Sequence, residues 1–269
     1  MIGARAQEAI ITLTSDFGVA DGYVASMRGV LLNLCPGARL VDISHDVPRH
    51  EILPTAMIIE ATVPYFPAGS IHLVVVDPGV GSRRRALALA AAGHYFVGPD
   101  NGVFTPFLQE DVLAGAVAIE EERFRLRPFS STFHGRDLFA PAAAHIARGS
   151  DYRSLGQQLE DPVKFPWPRA SLDGDELAGV VLHVDHFGNC ITSVKDEDLP
   201  VWEAYYVRCC KVDFGPLKRH YAEVVSGAPL ALINSMGRLE LAIAQGNAAV
   251  ALGIKAGDDV RVAATKWTD

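Results

Sequence analysis

The stretch SIHLVVVDPGVGSRRR (70–85) decides how the chain is read. Residues 71–76 are almost continuously apolar, the pattern of a strand buried on both faces rather than one with a wet side. The run stops at Asp77, turns on Pro78 and Gly79, and delivers Arg83, Arg84 and Arg85. A carboxylate at the end of a buried strand, with cations returning beside it, is either a tight turn or a site.

Working outward, the first 150 residues alternate strand-like and helix-like patterns. AIITLTSD (9–16), ARLVDIS (38–44), ALALAAA (86–92) and HYFVGPD (94–100) read as further strands. Helix patterns cover 22–34, with Asp21 as a candidate cap, 54–66, and 135–149. Buried strands separated by helices predict an α/β N-terminal domain with a mainly parallel sheet flanked by helices. The segment EDPVKFPWPRASLDGDE (160–176) carries three prolines and reads as a linker. Beyond it, GVVLHVDHFGNCITSV, AYYVRCCKVDF, PLALINS and DDVRVAA are short β-like runs between turns, which suit a small antiparallel sheet or barrel. The expected domains are 1–160 and 177–269, joined by 161–176.

Composition removes several function classes. The chain has 269 residues, 49% hydrophobic and 21% charged, with a formal net charge of −8. It has none of the basic excess of a nucleic-acid binder, and its acidity suits solubility or a cationic small molecule. No run of about 18 apolar residues predicts a membrane span, and the opening residues are too short in apolar length for a secretion signal. Cys35, Cys190, Cys209 and Cys210 lack metal-ligand spacing and read as thiols of a reducing cytoplasm.

Four clusters carry chemistry. Asp16, Asp77 and Asp100 each stand where an apolar strand runs out, and in a parallel sheet such ends share one ligand-binding edge. Asp-Pro-Gly and Asp-Asn-Gly are also strong turn formers. His134 in STFHGRDLFAPAAAH (131–145) precedes a helix, and Asp137 is placed to cap it. In VDHFGN (184–189), Asp185, Phe187 and Asn189 combine a carboxylate, a stacking ring and an amide, a set that suits a nucleoside as well as a β-turn with a core ring. Ser235 follows the strand pattern of 229–234.

Together the pieces TSDFGVADGYVASMRGV, DISHDVPRHEI, VVVDPGVGSRR, GPDNGVF, TFHGRD, DHFGN and NSMGRLELA resemble the S-adenosylmethionine (SAM) hydroxide adenosyltransferases, or SAM hydrolases, relatives of the fluorinases and chlorinases. The resemblance implies an α/β N-terminal domain, a smaller C-terminal β-barrel domain, and a homotrimer with active sites between subunits. It implies hydrolysis of SAM to adenosine and L-methionine by water or hydroxide at ribose C5′, with SAM as substrate and no cofactor or metal. Its catalytic trio maps onto Asp77, Arg84 and His134, with Arg83 and Arg85 as adjacent alternatives to Arg84. Asp16 maps onto the ribose contact, Asp21 and Ser235 onto methionine-end contacts, and Asp185, Phe187 and Asn189 onto nucleoside and amino-acid contacts. Competing readings are halide-dependent adenosyl transfer, a non-catalytic adenosine or SAM binder, and a metal-dependent hydrolase built on Asp16, Asp77 and His134.

Overall fold

A computed structural model describes residues 9–267. The expectation that no secretion signal opens the chain falls on 1–8 and lies outside the described residues. The chain divides into two compact units between Phe165 and Pro166.

The first unit is built on strands β1 (Ile10–Ser15), β2 (Arg39–Ser44), β3 (Ile71–Val75), β4 (Ala86–Ala91), β5 (His94–Pro99) and β6 (Leu113–Ala118), in the spatial order β2-β1-β3-β5-β4-β6. Pairings β2–β1, β1–β3 and β3–β5 are parallel, whereas β5–β4 and β4–β6 are antiparallel. The sheet is therefore mixed, parallel in three of its five pairings and antiparallel in two, where a mainly parallel sheet was expected. The cause is local. Only Ala92 and Gly93 separate β4 from β5, both at positive φ (50° and 79°), and a two-residue turn of that hand returns the chain antiparallel.

Helices α1 (Tyr23–Leu34) and α3 (Ala140–Ala147) cover one face of this sheet and α2 (Ile52–Thr62) the other. Strand β3 feeds both layers. Ile71, Leu73 and Val75 pack with Met27, Leu31 and Phe139, while Val74 packs with Ile59, Leu89 and Phe96 on the opposite side. Asp21 does not cap α1: Gly22 occupies that position and no side chain caps the helix.

The second unit is an antiparallel sheet of β7 (Ser171–Asp173), β8 (Glu176–Val184), β9 (Cys190–Lys195), β10 (Tyr206–Cys209), β11 (Val212–Pro216), β12 (Pro229–Ile233), β13 (Arg238–Ile243) and β14 (Asp259–Ala263). Its order is β11-β10-β14-β8-β9-β13-β12, with β7 added to β8. Lys218, just past β11, bridges to Leu232 on β12 and donates its N–H to the Ala231 carbonyl at 2.7 Å. The two edges thus meet and the sheet is nearly closed, barrel-like, around Val181, Val207, Phe214, Leu241 and Val262. Helix α4 (Ala248–Leu252) starts at Asn247, whose side chain accepts from the Val250 N–H, and ends at left-handed Gly253. No helix among the described residues is long and apolar enough to cross a membrane.

Behind β3, the Thr12 hydroxyl, His72 and His94 form a buried chain, with Thr12 Oγ1 2.8 Å from His72 Nδ1 and His72 Nε2 3.2 Å from His94 Nδ1. Burial, reinforced by His94, pushes the His72 imidazole down to about 3. The folded chain holds this ring neutral while the unfolded chain protonates it below about pH 6.5, so stability is complete above 6.5 and falls as pH drops toward 3. Urea unfolding between pH 6.5 and 4 should show about 1.4 kcal/mol lost per pH unit from this ring, and His72→Gln should flatten that slope.

Candidate active site

The parallel neighbours β1, β3 and β5 bring Asp16, Asp77 and Asp100 to one sheet edge. There their roles separate. Asp16 and Asp77 line a common cavity of about 210 Å³ with His134, Phe17, Arg49, His50, Val80 and Phe133. Asp100 is buried away from it, paired with Arg85 Nε at 2.7 Å and accepting the Val163 N–H at 2.7 Å.

The three consecutive arginines are told apart by their partners. Arg83 is exposed. Arg85 joins Asp100 to Asp161, donating to the Asp161 side chain and carbonyl, and so ties 161–163, within the first unit, to the end of β5. Arg84 alone turns into the site. Its Nε donates to Asp77 Oδ1 at 2.8 Å, its Nη2 pairs with Asp77 Oδ2, and its guanidinium lies 5.0 Å over the Phe139 ring. Only 10% of the Arg84 side chain and 6% of the Asp77 side chain is exposed. The intervening turn makes this possible. Gly81 sits at φ 76°, and a Cβ there would come within 2.8 Å of the Ser131 carbonyl oxygen.

Arg84 Nη2 also lies 2.9 Å from His134 Nδ1. A guanidinium has no acceptor, so Nδ1 must accept and the neutral ring carries its proton on Nε2. Burial, then the Arg84 charge, lowers the His134 pKa below its ordinary value against the opposing pull of Asp77. His134 precedes a π turn (Gly135–Phe139) that runs into α3, its ring 5.2 Å from that of Phe129. Asp137 does not cap this helix. Its carboxylate accepts the Ser130 N–H at 2.9 Å and pairs with Arg136, closing the loop that carries His134.

Asp16 is held by the 45–50 segment: Oδ2 accepts the His50 N–H at 2.9 Å, with His50 at φ 66°. Arg49 and His50 escaped the sequence reading because His50 acts through its backbone, which leaves no side-chain signature. Beside Asp16 the rings of Phe17, Tyr23 and Phe133 cluster at 5.3–5.9 Å, Phe133 meeting both others edgewise and Phe17 tilted against Tyr23. Asp21 is exposed and lies outside this cavity, in a separate hollow with Arg28, Asp42 and His45.

The remaining candidates form a separate group in the second unit. Asp185 closes the β8–β9 connection, its Oδ1 accepting the N–H groups of Phe187 and Asn189, both at 2.9 Å. Phe187 is 73% exposed and Asn189 is buried. Ser235 is exposed in the β12–β13 turn, which Asn234 braces by accepting from the Met236 and Arg238 N–H groups. Buried Glu240 receives hydrogen bonds from Tyr221 and Asn234, and its carboxyl is raised by burial and, further, by Asp185. Among the described residues no group of three or more His, Cys, Asp or Glu is arranged to hold a metal ion.

Against known proteins, the chain matches the SAM hydroxide adenosyltransferase N-terminal domain over 11–156 and the C-terminal domain of the same family over 179–261. The (R)-S-adenosyl-L-methionine hydrolase of Thermus thermophilus is 41% identical over 92% of this chain and 97% of its own. A fluorinase of an Actinoplanes species is 27% identical over 94% of this chain and 97% of its own. The crystal structure of an uncharacterized conserved protein from Thermotoga maritima superposes with a TM-score of 0.86 at 30% identity, covering 94% of this chain and 99% of that one.

The Arg84–His134 geometry has a spectroscopic consequence. Nitrogen-detected NMR should find His134 as the Nε2–H tautomer at pH 7, titrating below 6.5. Arg84→Gln should move the titration upward by removing the adjacent positive charge. A His134 that is cationic at pH 7 is the contrary result.

Proposed function

The chain belongs to the SAM hydroxide adenosyltransferase family, and from that premise we infer that it hydrolyses S-adenosyl-L-methionine to adenosine and L-methionine. Hydroxide, formed from water whose proton passes to bulk solvent, attacks ribose C5′ as the sulfonium departs as a neutral thioether, so the charges cancel and no acid is needed for the leaving group. SAM is the substrate, and the reaction calls for neither cofactor nor metal.

The observation that carries the mechanism is the Arg84 guanidinium shared between Asp77 and His134 Nδ1 at the cavity edge. Bulk water has a pKa of about 15.7, so the site's task is to favour hydroxide. In our reading Arg84 supplies fixed positive charge, and His134 presents Nε2–H as a donor to the nucleophilic oxygen. Asp77 holds the arginine and offsets its repulsion of the sulfonium. With Asp77 Oδ1 and Oδ2 and His134 Nδ1 all facing Arg84, the trio acts electrostatically rather than as a general base.

Asp16 takes the ribose hydroxyls. Holding C5′ in line with the nucleophile can contribute about 7–11 kcal/mol through orientation. Asp21 and Ser235 take the methionine end, and Asp185, Phe187 and Asn189 the nucleoside and amino-acid contacts. The cavity of about 210 Å³ is smaller than the roughly 300–1,000 Å³ of sites that enclose a drug-sized ligand. That shortfall supports a site completed by further residues, and in the homotrimer we propose from the family a neighbouring copy supplies those of the second unit. Four cysteines that form no disulfide favour the cytoplasm as the compartment. The Thermus relative's name specifies the R epimer, and we extend that preference for sulfonium configuration to this chain, to be read from which epimer of a mixed SAM sample disappears.

Arg84→Ala and His134→Ala should each lower kcat by about 10²–10³-fold, the cost of one charge-stabilising donor, while SAM affinity by calorimetry changes little. Asp16→Ala should weaken adenosine and SAM binding by about 10–100-fold, the worth of a hydrogen bond to a charged group. Parental turnover in both trio variants contradicts the mechanism. Substituting chloride buffers should yield adenosine and no 5′-chloro-5′-deoxyadenosine.

The pH profile separates hydroxide stabilisation from general-base catalysis. Because His134 is already neutral above its lowered pKa, log kcat should climb through pH 7–9 with no plateau. A sigmoid that levels off at the His134 titration would instead assign the proton to that ring.

A further inference from the structure

Behind Asp16 lies a second polar chain that the reaction does not touch. Ser15, the last residue of β1, has no exposed surface, and its Oγ is 2.7 Å from His45 Nδ1. His45 is 5% exposed, and its Nε2 is 3.1 Å from Asp42 Oδ1. The other Asp42 oxygen pairs with Arg28 of α1. The Phe17 N–H donates to Ser15 Oγ at 3.4 Å; with the His45 proton on Nε2 the Ser15 hydroxyl donates to Nδ1, and Nε2 lies beside the Asp42 carboxylate as a close ion-pair neighbour without the alignment of a hydrogen bond.

Serine, histidine and aspartate in this order are the components of a nucleophilic triad. Here the serine is sealed, so no carbonyl can approach it. What the chain does reach is the backbone on either side of Asp16. His45 holds Ser15 through its ring and Gly18 through its own carbonyl, which accepts the Gly18 N–H at 2.8 Å. Five residues on, the His50 N–H meets the Asp16 carboxylate itself. The 45–50 segment therefore grips residues 15, 16 and 18 at three points, and His45 supplies two of them.

We propose that His45 is a positioning residue: through Ser15 and Gly18 it fixes the turn that aims Asp16 into the cavity, with Asp42 and Arg28 fixing the ring in turn. The inference rests on the reading of Asp16 as the ribose contact. A carboxylate on a loose turn would still carry its charge but would lose the alignment that makes two hydroxyl contacts at once.

The test is a double-mutant cycle on the full-length protein, with adenosine affinity by calorimetry, KM and kcat for SAM, and thermal midpoint as readouts. Ser15→Ala and His45→Leu should each weaken adenosine binding by about tenfold. His45→Asn, which keeps a hydrogen-bonding atom near the Nδ1 position, should restore affinity to within about threefold. Combined with Asp16→Ala, Ser15→Ala should add no further loss, because its effect passes through Asp16. Losses that multiply in the double variant overturn the proposal, as does parental adenosine affinity in Ser15→Ala. Should Asp16→Ala alone bind adenosine as the parent does, the ribose reading falls first and this proposal with it. Ser15→Ala removes a single oxygen and serves alone where His45→Leu fails to fold.

Discussion

The ion pair between Asp77 and Arg84 is the constraint on which the first unit turns. Both side chains are almost wholly withdrawn from water, and removing one partner of such a pair costs about 3–5 kcal/mol because the other is left charged and unsolvated. The fold meets that demand from several directions. Buried β3 delivers the carboxylate, and the glycine turn after it returns the arginine within seven residues. Phe139 at the end of the π turn then closes over the guanidinium. His134 is oriented by the same arginine. Stability and site geometry are thus one requirement in this region.

That arrangement also shapes what the site can do to a proton. A histidine whose basic nitrogen already faces a permanent cation is a poor base and a good donor. The carboxylate is engaged through both of its oxygens by the same arginine. The trio therefore resembles an anion-holding device more than a proton relay, and on our reading hydroxide is its anion.

Much of this was legible in the chain and some was not, for reasons that can be named. Buried strands ending in Asp16 and Asp77 were visible because apolar runs mark the strands and parallel neighbours share an edge. The direction of β4 was not, because an apolar run carries no polarity and Ala92-Gly93 is a weak turn signal beside Asn-Gly. Asp21 and Asp137 both looked like helix caps, yet Gly22 stands at one N-terminus and Asp137 braces its own loop from inside a π turn. Among Arg83, Arg84 and Arg85, adjacency erased the distinction that partners restore: water, Asp77 and Asp100. His50 contributes an N–H that any residue other than proline could supply, so no residue type could betray it.

The charge balance of the cavity follows from the same residues. A sulfonium and a hydroxide attract one another, and a site that held both too firmly would stabilise the reactants more than the transition state in which their charges cancel. The buried Asp77–Arg84 pair avoids that trap by being neutral as a unit while strongly dipolar. On our reading it offers its positive end to the oxygen and sets compensating negative charge beside it. Asp16 is anchored by the 45–50 segment through the His50 N–H, and in the same reading it serves the ribose side. On our reading, a carboxylate clamped by an arginine and one held by a backbone N–H let a single sheet edge both bind a cation and stabilise an anion.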